Sequence, residues 1–295
     1  MDIRDDTADG IVQIRILGIK ESKPMARLQV LVATMNQQDL SLVKQMNLRC
    51  DAVIANQAGR EEVTTQATEY GVVKMITTAT RGVGLNRNIA LLASDAEFVL
   101  FADDDMIYRD DMPQSVLDAF LETPDADVLV FGIDITRDGV VTEQRHLEKG
   151  RIWVWNAMRY GAVRIAVRRE ALLRHNITFH QCFGGGCRFS AGEDSLFLKN
   201  CLDHGLRVRA HPYVLGQCRK DSSSWFVGYN EKYFYDKGVL VRHLFPKAYW
   251  LMGLYFAVNF KRQTELGVMR RIRLVYLGIQ GGKTMKAYEE DHHCK

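Results

Sequence analysis

Short blocks of apolar residues, separated by polar segments, divide the first half of the chain. Four short, largely apolar runs, at residues 28–33, 52–55, 72–76 and 98–102, have the length of strands, and the unbroken run at 98–102 suits a strand that is buried on both faces. A fifth strand is predicted at residues 127–133. Helical spacing of apolar residues predicts helices in this half as well. Strands that alternate with helices are typical of an α/β fold with a mostly parallel sheet and flanking helices.

Three helices are predicted among these strands. Residues 39–48 carry apolar side chains at helical spacing. The stretch RGVGLNRNIALLAS, residues 81–94, indicates a glycine-containing turn that leads into a helix packed through Ile89, Leu92 and Ala93. The third helix is expected to end near residue 121.

The second half begins with a predicted strand at residues 161–167, followed by a helix that ends near residue 175. A loop then holds three consecutive glycines, residues 184–186, which either let a ligand approach the backbone or mark a flexible turn. A further helix is predicted at residues 193–204. Ser190 and Glu193 have the spacing of a capping box at its start.

The C-terminal fifth of the chain is amphipathic. Residues 248–258 are wholly apolar but too few to span a bilayer. Beyond them, apolar or aromatic residues recur every three or four positions among arginines: Leu266, Met269, Ile272, Tyr276 and Ile279. A basic amphipathic helix of this kind can lie on an anionic membrane surface, or it can pack on the domain with its basic face in water. The pattern leaves both open.

We therefore expect three parts: an N-terminal extension at residues 1–27, an α/β domain at 28–245 and a basic helical tail at 246–295. The extension is polar apart from a short apolar segment at residues 11–19. Its role does not follow from the sequence.

Composition is that of an ordinary globular protein. The 295 residues are 47% apolar and 25% charged, and the net charge of +3 indicates no nucleic-acid partner. Residues 261–286 hold seven basic residues and one acid, a net of +6, which leaves about −3 on the rest. The six cysteines form no CxxC pair, and no apolar signal segment precedes them. These features predict reduced thiols in a cytoplasmic protein and argue against a zinc site.

Three consecutive acids, Asp103, Asp104 and Asp105, follow the apolar run at residues 98–102. Ligands of open α/β sheets bind beyond the carboxyl ends of strands, so these acids are candidates for chemistry. Adjacent carboxylates repel one another, and a divalent cation such as Mg²⁺ or Mn²⁺ would offset the repulsion and bridge to substrate phosphates. A solvated acidic turn is the alternative. There is no GxGxxG after the first strand and no Walker lysine motif, which excludes a dinucleotide site of that kind.

Asp194 is the second candidate. With Glu193 assigned to the capping box, Asp194 is expected to project free from the start of its helix. A helix N-terminus favours the ionised form of a carboxylate, which makes Asp194 a candidate proton acceptor. Acids are nevertheless common in any first helical turn.

Taken together, these segments resemble the family 2 glycosyltransferases of the GT-A fold, of the type that builds bacterial surface polysaccharides. The resemblance covers residues 28–224 and depends on four motifs in order: VLVATMNQ, RGVGLNRNIALLASDAEFVLFADDD, GAVRIAVRRE and GEDSLFLKNCLDHGLRV. They resemble the first strand of those enzymes, the segment that leads to the DXD acids, the acceptor-side strand, and the ED motif with its helix. The implied fold is a Rossmann-like GT-A sheet, with amphipathic helices at the C-terminus of this chain.

The resemblance assigns roles to the matching positions. Asp105 and Asp103 would hold Mn²⁺ or Mg²⁺, and Asp194 would be the catalytic base. The residues expected at the nucleotide are Thr34, Asn36, Gln57, Arg81, Arg87, Asp103 and Asp104. Glu193, Gly185 and Trp225 are expected on the acceptor side; core packing of the aromatic segment around Trp225 is the alternative.

The implied reaction is inverting, metal-dependent transfer of a sugar from a nucleotide-sugar, a UDP-sugar first, to a hydroxyl of a glycan or lipid-linked acceptor. By analogy the products would be capsule, exopolysaccharide or lipopolysaccharide, made at the inner face of the plasma membrane. A nucleotidyltransferase with the same strand-end acids and a non-catalytic membrane-associated module with a degenerate site are the competing interpretations.

Two positions depart from the family pattern. Gln57 stands where an acid usually contacts uracil, although an amide oxygen can also accept from the ring N3–H. Gln217 and Cys218 stand where many relatives place a histidine, and His211 comes earlier in the chain.

Overall fold

The computed structural model describes residues 27–220, 228–260 and 264–288. The short apolar segment at residues 11–19 and all but the last residue of the predicted N-terminal extension lie outside this range, as does Trp225.

The described residues form one sheet of eleven strands with helices on both sides. The strands are β1 (Leu28–Met35), β2 (Asp51–Gln57), β3 (Glu62–Ala67), β4 (Val72–Thr78), β5 (Phe98–Asp103), β6 (Met106–Tyr108), β7 (Val128–Arg137), β8 (Val140–Arg145), β9 (Gly150–Arg151), β10 (Ile165–Arg168) and β11 (Val208–Arg219). The helices are α1 (Leu42–Gln45), α2 (Val83–Ala93), α3 (Met112–Glu122), α4 (Val154–Ala157), α5 (Arg169–Arg174), α6 (Glu193–Asp203), α7 (Glu231–Leu244), α8 (Tyr249–Asn259) and α9 (Val268–Gly281).

The long strands run in one direction. The order across the sheet is β3-β4-β2-β1-β5-β10-β7-β11-β6, with β8 on β7 and β9 on β11. Strands β4, β2, β1 and β5 pair in parallel, and so do β7 and β11. Strand β10 is antiparallel to both β5 and β7, so β7 and β11 point the same way as β5. The predicted α/β fold with a mostly parallel sheet is confirmed.

The sheet is covered on both faces, as the largely apolar runs predict. Val30 and Val32 of β1 belong to a core layer with α1 and α3, whereas Leu31 belongs to the opposite layer with α2, α5 and α6. Successive side chains of a strand point to opposite faces, so a strand buried on both sides needs apolar residues at every position.

Several local predictions were wrong. The helix expected at residues 39–48 is only α1, because the Asp39 carboxylate accepts from the backbone N–H of Ser41 at 2.9 Å, and Asn47 takes a left-handed backbone (φ 54°). The strand expected at residues 161–167 begins with a 3₁₀ turn, Ala162–Arg164, where the Arg164 side chain is buried and donates to the carbonyl of Phe131 at 2.7 Å.

Two further expectations concern helix ends and faces. The capping box at α6 is not formed: the N-cap residue is Gly192, with φ 118°, rather than Ser190. In α2, Leu92 is 67% exposed, and the buried face instead carries Asn86, Arg87 and Leu91. Polar side chains on that face point into the site described below. The polar loop after β2 contains an edge strand, β3, antiparallel to β4.

The C-terminal helices pack against α7. Helix α9 contacts α7 through glycines: a Cβ at Gly278 would overlap the carbonyl oxygen of Tyr235, and one at Gly238 would overlap that of Val275. The predicted apolar stripe is partly wrong, because Met269 is 77% exposed while Arg271 is buried and donates to the carbonyl of Phe260. The described helices include none that is long and apolar enough to cross a membrane.

Gly278→Ala is expected to lower the free energy of unfolding by about 1–3 kcal/mol, because the added methyl group forces α7 and α9 apart. Urea denaturation measures this. Gly150→Ala is the control: a Cβ at that position would have no atom within 4 Å, so its effect should stay under about 0.5 kcal/mol. Equal effects of the two substitutions would contradict the close packing of these helices.

Candidate active site

The three acids at the end of β5 lie at the carboxyl edge of the sheet. Asp104 accepts a hydrogen bond from the Thr34 hydroxyl at 2.5 Å. Asp105 accepts from the Cys218 thiol at 3.3 Å, and its second carboxylate oxygen is buried without a hydrogen-bond partner among the described residues. Burial, reinforced by the charge of Asp103, raises the pKa of Asp105 to about 6, and burial also raises the pKa of Asp104. Among the described residues Asp105 has no ion-pair partner, and the charge of Lys220 only partly opposes the rise in its pKa.

Arg87 joins these acids to the second acidic motif. Its guanidinium is 3% exposed and donates to Asp103 at 2.8 Å, to Asp194 at 2.9 Å and to Glu193 at 3.1 Å. Burial alone would lower the pKa of Arg87, but the three carboxylates outweigh it and raise the pKa above its ordinary value. The start of α6 is thereby tied to the end of β5 through one residue of α2. This corrects the expectation that Asp194 projects free.

The pKa of Asp194 is higher than expected for a carboxyl group at a helix N-terminus. Burial raises its pKa to about 7, the charge of Glu193 adds to the rise, and Arg87 opposes it. Its side chain is 26% exposed, so solvent or a substrate can still reach it. A carboxyl group with a pKa near 7 can both accept and release a proton at neutral pH.

A cleft of about 560 Å³ runs along this edge of the sheet. It is lined by residues from the ends of β1, β2, β5, β7 and β11, from α2, from the glycine loop and from the start of α6: Ala33, Thr34, Met35, Asn36, Gln57, Val83, Asn86, Arg87, Asp103, Asp104, Asp105, Arg137, Gly185, Glu193, Arg219 and Lys220. Acids and cations thus line the same cleft. Most of the predicted nucleotide residues are brought together here.

The sequence reasoning missed the cations of the cleft, Arg137, Arg219 and Lys220. Arg137 ends β7, Arg219 ends β11, and Lys220 follows directly. The backbone N–H of Arg219 also donates to the carbonyl of Asp105 at 2.9 Å, which fixes this strand end beside the acids. The sequence does place basic residues at the carboxyl ends of β7 and β11. They could be assigned to the cleft only with the knowledge that both strands run parallel to β5, because parallel strands present their carboxyl ends at one edge.

The first-strand end and Gln57 form the other wall. The backbone N–H of Asn36, which has φ 58°, donates to the carbonyl of Gln57 at 2.9 Å. The Gln57 amide nitrogen donates to the carbonyl of Gly82 at 2.8 Å. The amide orientation is therefore set by the turn that precedes α2.

Other predicted residues lie elsewhere. Arg81 is exposed before α2 and is not among the residues that line the cleft. His211 is buried beside Phe131 and Glu122, away from the cleft lining, so it does not replace the family histidine. Trp225 lies outside the described residues.

A second cavity, of about 250 Å³, adjoins the cleft at Gly185 and Glu193, which line both. It is lined by Asp194 and by residues 158–161 and 190–195. Asp105 and Asp194 therefore open into neighbouring spaces on one face of the protein.

The oxygen donors at the end of β5 fit a divalent cation. Asp105 has a buried, unpartnered carboxylate oxygen, and oxygen ligands suit Mg²⁺ and Mn²⁺. Within the part of the chain that the structure describes, no group of three or more His, Cys, Asp or Glu side chains could hold a metal ion. The protein would thus supply few ligands, and phosphate oxygens would complete the shell.

Comparisons with known proteins identify the family and the fold. The family model described as Glycosyl transferase family 2 matches residues 40–194, just over half of the chain. Among solved structures, S. aureus TarS 1-349 in complex with UDP-GlcNAc superposes with a TM-score of 0.54 at 16% identity, over 88% of this chain and 73% of that chain. The same TarS fragment in complex with UDP gives 0.52 at 17% identity, over 88% and 72%. At these identities the likeness concerns the fold. No curated protein sequence matches.

Proposed function

Because the chain belongs to glycosyl transferase family 2, we propose that it moves a sugar from a UDP-sugar to a hydroxyl of a glycan or lipid-linked acceptor, with inversion at the anomeric carbon. Family membership by itself shows the general activity: the protein is a glycosyltransferase that uses a nucleotide-sugar donor. Enzymes of this family generally depend on a divalent metal ion. UDP is proposed because the structurally similar TarS is described in complex with UDP-GlcNAc.

The observation that carries this proposal is the bridge through Arg87. Its buried guanidinium binds both Asp103, which lines the 560 Å³ cleft, and Asp194, which lines the adjoining cavity. We call the larger space the donor cleft. Two carboxylates with different neighbours can take different roles. Asp105 and Asp103 would face the phosphates of the donor, while Asp194 would face the acceptor.

Asp194 is the group that we assign as base. It would accept the proton of the acceptor hydroxyl as that oxygen attacks the anomeric carbon, and the bond from the anomeric carbon to the phosphate oxygen breaks on the opposite side. A single displacement of this kind inverts the configuration. Glu193 and Gly185 lie where the two cavities meet, which suits the acceptor-side roles predicted for them.

The leaving diphosphate carries negative charge that the cleft would stabilise. Arg137, Arg219 and Lys220 line it and would attract the phosphates. Asp105 and Asp103 would hold Mn²⁺ or Mg²⁺, and the bound metal would act as a Lewis acid toward the diphosphate.

Titration calorimetry with UDP, with and without Mn²⁺, tests the donor site. The intact protein should bind UDP at least tenfold more tightly with Mn²⁺ than without it, and Asp105→Asn should lose that difference because it removes a charged ligand. Asp118→Asn, on the surface of α3, is the control and should behave as the intact protein. Metal-independent UDP binding, equal in all three proteins, would remove the metal role of Asp105.

The pathway is proposed by analogy only: capsule, exopolysaccharide or lipopolysaccharide synthesis at the inner face of the plasma membrane. The membership in a glycosyltransferase family disfavours the nucleotidyltransferase and non-catalytic interpretations.

A further inference from the structure

The three consecutive acids of the donor cleft accept hydrogen bonds from three different kinds of donor. Asp103 accepts from a guanidinium at 2.8 Å, and Asp104 accepts from a hydroxyl at 2.5 Å. Asp105 accepts from the Cys218 thiol at 3.3 Å, and a thiol is the weakest of these donors. Asp105 is therefore the acid that its hydrogen-bond donor neutralises least.

The two carboxylate oxygens of Asp105 have different surroundings. Oδ2 accepts the hydrogen bond from Cys218 Sγ, whereas Oδ1 is buried and has no hydrogen-bond partner within the described part of the chain. Asp105 lines the donor cleft, but Cys218, which is 4% exposed, is not among the residues that line it. The thiol therefore supports the carboxylate from the protein interior, and Oδ1 is the oxygen left for a ligand.

The pairing of β11 with β6 brings Cys218 to this position. Cys218 lies opposite Met106, the residue that follows Asp105, in the antiparallel register of the two strands. Nearby in the same pairing, a Cβ at Gly216 would overlap the carbonyl oxygen of Ile107, so the close approach of the strands requires glycine. The contact between Cys218 and Asp105 is thus fixed by the sheet.

Cys218 is one of the two residues at the place of the family histidine. The other, Gln217, is exposed, so Cys218 is the one that faces the acids. A cysteine could take the place of a histidine either as a metal ligand or as a hydrogen-bond donor. A metal-ligating cysteine is a thiolate, whereas an ionised carboxylate only accepts, so the sulfur beside it must carry a proton. The observed contact is that of a donor.

We propose that Cys218 is a positioning residue for the metal ion: its thiol holds Oδ2 of Asp105, offers Oδ1 alone to the ion, and thereby selects Mn²⁺ or Mg²⁺ over Ca²⁺. This inference rests on the proposed function, because it concerns the metal ion of that donor site. Ca²⁺ often takes both oxygens of one carboxylate in a larger, flexible shell, whereas Mg²⁺ requires near-ideal octahedral geometry at shorter distances. Mn²⁺ also suits octahedral oxygen sites. A single oxygen from Asp105 therefore favours the smaller ions.

Manganese EPR on the full chain with UDP tests the inference, because binding removes the signal of free Mn²⁺ and competing Ca²⁺ restores it. The intact protein should bind Mn²⁺ more tightly than Ca²⁺. Cys218→Ala should weaken Mn²⁺ binding by about 10- to 100-fold, the usual effect of losing the partner that orients a metal ligand. Ca²⁺ binding should weaken less, since the freed carboxylate can supply both oxygens. The ratio of Mn²⁺ to Ca²⁺ affinity should therefore fall.

Two further variants show whether the hydrogen bond is responsible. Cys218→Ser restores a donor at the same position and should keep both the Mn²⁺ affinity and the affinity ratio of the intact protein. Cys201→Ala is the matched control, because Cys201 is also a buried thiol but lies in the opposite core layer of the sheet. It should bind both ions as the intact protein does. Urea denaturation of each variant checks that the fold is retained.

Three results would overturn the inference and leave the proposed function standing. Equal Mn²⁺ affinity in the intact protein and Cys218→Ala would show that the thiol positions nothing. Equal losses in Cys218→Ala and Cys218→Ser would make the sulfur itself a metal ligand. Equal losses of Mn²⁺ and Ca²⁺ binding in Cys218→Ala would show a general disturbance of the site. An intact protein that binds no UDP in the presence of Mn²⁺ would instead overturn the proposed function, and the inference with it.

Discussion

Asp194→Asn is expected to lower kcat for sugar transfer by about 10²- to 10⁴-fold, while the protein still binds UDP. The amide occupies the same space but cannot accept the proton of the acceptor hydroxyl. The donor cleft should be preserved because Arg87 keeps its bonds to Asp103 and Glu193. Transfer assays with calorimetry on the same sample separate turnover from donor binding.

Asp203→Asn, at the exposed end of the same helix, is the matched control and should keep full activity.

The pH dependence of transfer adds a second measurement. A base must be ionised, and the pKa of Asp194 is raised to about 7, so kcat/KM of the intact enzyme should fall as the pH decreases through that value. The acidic limb should be absent from the residual activity of the variant. Turnover that survives Asp194→Asn would remove this residue as the base.

Arg87→Met is expected to lower the free energy of unfolding by about 3–5 kcal/mol at pH 8, because the substitution leaves three carboxylates around a buried site without their cation. At pH 5 the loss should be smaller. The sign follows from linkage: buried carboxylates without a cation hold protons more tightly in the folded state, so the stability of the variant declines as the pH rises. Urea denaturation at both pH values measures the difference.

Arg174→Met is the control for Arg87→Met. Arg174 makes a single exposed ion pair with Glu170, and such pairs contribute at most about 1 kcal/mol. The contrary outcome is that Arg87→Met loses less than about 1 kcal/mol of unfolding free energy, equally at pH 5 and pH 8. That result would show that Arg87 does not neutralise the acids. The unfolding free energy of Arg87→Lys should lie between those of the intact protein and Arg87→Met, since an ammonium retains the charge but lacks the planar guanidinium that reaches several carboxylates.

The positions of β1, β2, β4 and β5 and of the acids at the sheet edge followed from the sequence because both are local signals. The runs that predict β1, β2, β4 and β5 are largely apolar, and burial on both faces favours that composition. The acids directly follow β5, so their place at the carboxyl edge needs only the direction of the chain. The ordered motifs identified the family, which the comparison confirmed.

The faces of the helices were harder to predict. In α2 the apolar Leu92 is exposed, while Arg87 is buried by its carboxylates and by the Phe179 ring, 5.3 Å away. In α9 the close contact with α7 is made by glycine, which carries no apolar signal, and Met269 is left in solvent. Helical periodicity identifies a face only when that face packs on apolar neighbours.

The sequence by itself determined the fold class, the family and the position of the acidic residues, since each depends on neighbours in the chain. Only the tertiary structure decided which charges meet. Arg87 binds Asp103, sixteen residues away, and Asp194, 107 residues away. Arg137 and Arg219 reach the same cleft because β7 and β11 run with β5. The pKa of Asp194 depends on burial and on charges brought from distant segments, and no local pattern carries that information.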